Sequence, residues 1–203
     1  MQEYRTLYPN HAHQLTVSVS KHYWITNDGI LKYQNKKMEV TLDKVGHSPK
    51  NHLIHFIIRD HCSGAIYSEV ASSRSILSLS KFLYKAWSQK EDYVFCGIPE
   101  LLTIPKTVEA VFPEIKEKVM SLGIECPQVT SGFQAGVRDV KTIEEYMKFF
   151  ANLSFIDNHS SLNKIYSYVS SMDARIGKQS KIQMWRSNIN SVTIPHESWL
   201  ETA

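Results

Sequence analysis

The sequence predicts an α/β fold: a mixed sheet flanked by helices, with a C-terminal helical extension. Three observations carry the prediction. Residues 53–58, LIHFII, are a nearly continuous apolar run, the pattern of a strand buried on both faces. AIYSEV (65–70) resumes extended chain after the short turn RDHCSG, and strands joined that tightly are antiparallel. From 75 to 89, Ile76, Leu79, Phe82, Leu83, Ala86 and Trp87 fall on one helical stripe, after which strand-like and helix-like segments alternate.

Taken in chain order, residues 1–20 are polar and rich in His, Ser and Thr, and are expected to form an N-terminal arm. Val17 to Ile25 carries β-branched and aromatic residues, so Tyr23-Trp24-Ile25 ends a first core strand, stopped by the turn-forming Asn27-Asp28-Gly29. Residues 31–42 hold one or two short strands, LKYQ and MEVTL, and 44–51 a loop with Gly46 and Pro49. The helix over 75–89 takes Ser73 or Ser75 as its cap. A short strand at 101–104 follows Gly97 and Pro99. Pro113 then opens a helix through Ile115, Val119 and Met120 that Gly123 stops, and Ile124-Glu125-Cys126 forms a last short strand. After SGFQAG, Val140, Ile143, Met147, Phe150 and Ala151 define the stripe of another helix, capped by Asp139 or by the Thr142/Glu145 pair. Leu162, Ile165, Tyr166, Val169 and Met172 mark one more. The expected division is an arm over 1–20, a core domain over 21–155 and a C-terminal helix and tail over 156–203.

Composition narrows the function classes. With 42% hydrophobic and 21% charged residues in 203, the chain has an ordinary globular balance, and its net charge of +3 falls short of an obligate nucleic-acid binder's. Three cysteines without a CxxC pair suggest neither a disulfide framework nor a zinc ribbon, so a reducing, cytoplasmic setting is expected. There is no apolar leader and no run of about 20 apolar residues, so neither export nor membrane insertion is expected. His11-x-His13, His52-x-x-His55 and Asp60-His61-Cys62 are the best candidate metal clusters, but His52 and His55 face opposite sides of a strand, and no metal site is assigned. Cys96 reads as a structural thiol, and no small-molecule cofactor motif is present.

The ordered series of elements resembles the ribonuclease H-like superfamily, specifically the retroviral-integrase or DDE-transposase catalytic core, over roughly residues 21–153. In that family a Trp stands three residues ahead of the first catalytic Asp; Trp24 is followed at that spacing by Asn27, with Asp28 next. An Asp-x-x-Ser segment joining two strands is matched by Asp60-His61-Cys62-Ser63, a scaffold motif and not a metal ligand. Pro99 and Leu101-Leu102-Thr103 match the strand before the second catalytic Asp, but Ile104 stands in its place. Phe112, Leu122-Gly123-Ile124 and the loop from Thr130 to Gly136 match what comes next, and Glu144 is the candidate for the final acid, since it borders the apolar stripe where Glu145 points about 100° further round.

The resemblance implies phosphodiester cutting and joining with two divalent ions held by three carboxylates. Asn27 offers a neutral oxygen and Ile104 none, so the expectation is a catalytically degenerate member without metal-dependent activity. Its expected role is a DNA-binding or assembly module linked to mobile-element DNA. Arg138, Lys141 and Lys148 around the site helix and Lys164, Arg175, Lys178, Lys181 and Arg186 beyond it are the candidate phosphate contacts, although Lys148 can also pair with Glu144 at i,i+4. Two alternatives stand beside it. One is an active Mg²⁺- or Mn²⁺-dependent nuclease using Asp28, Glu144 and a further acid such as Asp60 or Asp92; the other is a purely structural interaction domain. Tyr4, Tyr8, Trp185 and Trp199 are the aromatics that can meet a protein partner, mediate self-association or cover the core.

Overall fold

The computed structural model describes residues 6–91, 93–128, 135–151 and 192–201. Its first strand, β1 (Ala12–Ile25), starts well inside the segment expected to be an arm. Leu15, Val17 and Val19 alternate there with Gln14, Thr16, Ser18 and Ser20, so one face of the strand is apolar and the other polar, with the period of 2 that an extended chain requires. The arm assignment therefore fails for 12–20: polar residues there mark one face of a core strand.

β2 (Leu31–Tyr33) pairs antiparallel with the end of β1, and the expected second strand at MEVTL does not form. β3 (Asn51–Asp60) runs antiparallel to β1, and β4 (Ile66–Ser72) antiparallel to β3, as the tight turn predicts. β5 (Leu101–Thr103) lies parallel to the beginning of β1, and Glu125 bridges in parallel to Leu101. The sheet thus orders β4, β3 and β1 antiparallel, with β2 antiparallel on the end of β1 and β5 and the 125 bridge added in parallel beside its beginning: a mixed sheet flanked by helices.

The helices start later or earlier than the sequence suggests, for local reasons. Ser75 is held in a bridge to Ser72, so α1 (Leu79–Trp87) is capped instead by Ser78, whose side chain accepts from the Lys81 N–H. Pro105 opens a helix that the sequence reading missed, α2 (Lys106–Val111), and α3 (Ile115–Met120) follows, with Met120 exposed and not in the stripe. α4 (Ala135–Ala151) begins ahead of Asp139, so neither Asp139 nor Thr142/Glu145 caps it; Glu145 is exposed and pairs with Lys141.

Two cores sit on the two faces of the sheet. Leu15, Val17, Val19, Ile54, Phe56 and Ile58 face α1, α2 and α3, and Trp199 from the tail seals this side against Trp87 with ring centroids 5.9 Å apart. Tyr23, Leu53, Ile57 and Val70 face α4 through Ile143 and Met147. Val140 packs at the edge of that second cluster; the side chains of Phe150 and Ala151, and the helix expected over 162–177, lie outside the described residues. No described helix is long and apolar enough to cross a membrane.

Candidate functional site

Any site shared by β1, β5 and the site helix must lie where those three elements meet, and register fixes that place. Gln14 of β1 is level with Thr103 of β5 on one side and with Arg59 of β3 on the other. α4 crosses the same end of β1: Gly136 sits so close to Thr16 that a Cβ there would overlap the threonine hydroxyl, so only glycine lets the first turn of the helix settle on the strand. One turn later Asp139, buried, takes the Arg59 guanidinium, with Nη1 2.6 Å from Oδ1. The junction therefore gathers Gln14, Thr16, Arg59 and Asp139. Thr16, Arg59 and Gln14 escaped the sequence reading altogether, and Asp139 was read only as a helix cap.

The expected triad positions do not converge. Ile104 follows β5 directly, but its side chain is buried in the core on the face away from α4. Asn27 and Asp28 lie in the exposed turn beyond Ile25, at the far end of β1. On β3 the partners of Leu15 and Ile25 are Ile58 and Asn51, so those two levels are about 23 Å apart at ~3.3 Å per residue. Asn27 is instead held by Arg74, whose Nη1 donates to its side-chain oxygen at 2.9 Å. Glu144 falls between the two ends, facing the sheet as the stripe argument requires.

Glu144 is fully engaged where it stands. Ser20 faces α4 by the same alternation as Thr16 and Ser18; the bulge in β1 between Val19 and Trp24 brings Tyr23 to that side as well, and the Tyr23 N–H donates to the Ser20 hydroxyl at 2.9 Å. That hydroxyl donates to Glu144 Oε1 at 2.5 Å, and His55 Nε2 donates to the same oxygen at 2.9 Å. The Tyr23 hydroxyl reaches the Glu144 backbone carbonyl at 3.2 Å. The serine proton thus points to the carboxylate and not to the imidazole, so the group placed to take it is a carboxylate of depressed pKa, a weak base for activating Ser20. The cluster is a latch that fastens α4 to β1 and β3. Lys148 is not paired with Glu144 as expected; its ammonium lies 5.3 Å from the centre of the Tyr33 ring.

Burial alone would push the Glu144 carboxyl up, but the hydrogen bonds and charge of His55, with Ser20 and His22, outweigh it and hold its pKa below the ordinary value. A carboxylate depressed on folding gives stability that is present above its unfolded pKa and lost as pH falls through the folded one. Glu144→Gln is expected to cost about 1–2 kcal/mol at pH 7, the worth of charged hydrogen bonds over neutral ones. It should also flatten the fall in urea midpoint below about pH 4.5. An unchanged acid limb in the variant would show that the latch carries no proton linkage.

Asp60, considered above as a further acid, is a turn residue. Fully buried, it accepts from the Asn10 N–H at 3.0 Å, from the Ser63 N–H at 2.6 Å and from the Ser63 hydroxyl, closing the turn between β3 and β4. Asp92, the other acid considered, lies outside the described residues, as do Lys164, Arg175, Lys178, Lys181, Arg186, Tyr4 and Trp185. Arg138, Lys141 and Lys148 are exposed on α4. His52 and His55 do face opposite sides, His52 toward Ser48 and His55 toward Glu144. Among the described residues no group of three or more His, Cys, Asp and Glu side chains is placed to hold a metal ion. The residues at the junction do not fit a two-ion site: its carboxylate already has a guanidinium, and Thr16 and Ile104 supply no charge.

No protein-family model matches the chain, and no curated protein matches it in sequence. Among solved structures, it is similar to the HTLV-2 integrase catalytic core domain, described in complex with magnesium in a dimeric form. The two are 17% identical over 80% of this chain and 86% of that one, with a TM-score of 0.48. That likeness is a distant one. It transfers neither residue roles nor an activity to this chain.

Proposed function

We propose that this chain is an integrase-core-like module that binds nucleic acid or organises an assembly on it, as in mobile-element DNA, and does no metal-dependent phosphodiester chemistry. The observation that carries the proposal is the Arg59–Asp139 pair at the junction of β1, β5 and α4. A fixed guanidinium beside the buried carboxylate neutralises the charge that would attract a divalent cation, and Arg cannot be deprotonated to release it. Loss of metal chemistry leaves phosphate contacts available, since these depend on Lys and Arg placement alone. Arg138 and Lys148 on the exposed side of α4 are the described candidates for such contacts, whereas Lys141 is occupied by Glu145 at 3.9 Å.

Two assays on the full chain test this together. Supercoiled plasmid incubated with protein and Mg²⁺ or Mn²⁺ is expected to show no nicking above a protein-free control, and fluorescence anisotropy is expected to show DNA or RNA binding that weakens steeply with salt. Metal-dependent nicking abolished by Asp139→Asn or Glu144→Gln would restore the nuclease reading. Absence of binding at any salt would leave a structural interaction domain.

A further inference from the structure

We infer that the far end of the sheet, built from the end of β1, β2 and the start of β3, is a platform for single-stranded nucleic acid. The inference rests on the nucleic-acid reading above and gives it a surface. Residues 21–50 hold six lysines against three acidic residues, an excess equal to the formal +3 of the entire chain. The remaining residues sum to zero, with a second basic excess over 164–186, where five basic residues stand against Asp173, so 21–50 is one of two basic stretches in the sequence. Folding does not cancel the charge of this lobe: among the described residues, Lys32 and Lys50 are exposed and make no ion pair.

Charge alone would suit any polyanion, but the aromatic residues here narrow the choice. Tyr33, on the three-residue edge strand β2, is 39% exposed and stacks at 5.7 Å on the His22 ring, with their planes 23° apart. Trp24, half-buried and level with Lys32, lies on the opposite face of the β1–β2 pair from Tyr33 and has Lys50 Nζ 5.0 Å from its ring centre, while Lys148 from α4 lies 5.3 Å from the Tyr33 ring centre. Each accessible ring thus comes with an ammonium on a flexible stem. That is the pairing a splayed-out base and its phosphate require: the ring takes the base face, and the lysine swings from the ring to the phosphate. A paired duplex hides its base faces, so rings add nothing to its binding. Aromatic dependence therefore separates single strands from other polyanions.

The test is anisotropy of a fluorescein-labelled oligo-dT 20-mer titrated with the full chain from 50 to 300 mM salt. Lys32→Ala/Lys50→Ala is expected to weaken binding and to lower the slope of log K against log salt by ~1.4, two contacts at ~0.7 each for single strands. The control Lys81→Ala/Lys106→Ala, equal in charge and exposed elsewhere, is expected to leave the slope unchanged. Tyr33→Ala should weaken binding roughly 5- to 150-fold, the range for one stacked base, without altering the slope, and Tyr33→Phe should restore it. If wild-type protein binds the oligonucleotide but the lobe and control variants behave alike, the platform is wrong and the nucleic-acid reading stands. If wild-type protein binds no nucleic acid at any salt, both fall. Binding to duplex or to phosphatidylserine vesicles that oligo-dT cannot compete away overturns the platform as well.

Discussion

Arg59→Ala is expected to destabilise the protein by about 3 kcal/mol, near the lower end of the cost of breaking one partner out of a buried ion pair. Asp139 is only 4% exposed and its carboxylate lies 2.6 Å from the guanidinium, so the truncation takes the guanidinium from a charge buried under α4. The Arg59 side chain keeps about a fifth of its surface in solvent, which is why the lower end of the range applies. Urea unfolding would register the loss as a lower midpoint with an unchanged m-value. Arg59→Lys should fall between, because an ammonium replaces the charge without the planar fork. Removing both charges, as Arg59→Met with Asp139→Leu, should recover most of the stability, since the pair offsets its own desolvation and little more. A cost below about 1 kcal/mol for Arg59→Ala would mean the carboxylate is readily hydrated, and a hydrated carboxylate can accept a cation. The result therefore bears on the absence of metal chemistry as well as on stability.

Much of the fold was readable because its signals were local. The β3–β4 hairpin shows in an apolar run, a turn and a second strand, and the Asp60-x-x-Ser63 segment behaves as the scaffold element the resemblance implies. Glu144 was placed toward the sheet by helical geometry alone, three residues before Met147. What failed was non-local. Trp24 and Asn27 have the spacing of the family motif, but the position beside β5 is set by pairing between residues 12–14 and 101–103, which no local pattern encodes. The alternation of Gln14, Thr16, Ser18 and Ser20 with Leu15, Val17 and Val19 was present to be seen. It was masked because the polar face of β1 meets not water but the Gly136, Asp139 and Glu144 side of a helix more than a hundred residues on. Asp139 was mistaken for a cap because four residues of helix precede it in a glycine-containing segment, and its real partner lies 80 residues away.

Acidification from pH 7 to pH 4.5 is expected to cost the fold up to about 3 kcal/mol through His13 alone. This imidazole is fully buried, and both its nitrogens are committed in the neutral form: Nδ1 accepts from Trp87 Nε1 at 3.2 Å and Nε2 donates to Asn10 Oδ1 at 3.0 Å. Protonation would put a second N–H against the indole N–H. Burial accordingly drives its pKa down to about 4, against the opposing pull of Asp60, whose Oδ1 is 3.8 Å from Nε2. Despite that distance the two do not form an ion pair at neutral pH, because the histidine is uncharged. An unfolded chain takes up the proton near pH 6.5 and the folded one only near 4, so the unfolded state binds more protons throughout that window. Stability is therefore full above it and falls as pH drops through it, by ~1.4 kcal/mol per unit. His52, also lowered by burial and by Lys50, adds a fall of the same sign, so the wild-type slope alone does not isolate His13. His13→Gln does: less stable at pH 7 for want of its indole partner, it should lose markedly less between pH 7 and 4.5. The Glu144 latch acts at lower pH than this, which keeps the two contributions apart along the titration. Parallel urea-midpoint curves for wild type and His13→Gln, or an imidazolium signature for His13 in the NMR spectrum at pH 5.5, would show that the residue is charged in the fold. In that event the hydrogen bonds from Asn10 to Trp87 that fix the start of β1 against β5 would need a different arrangement.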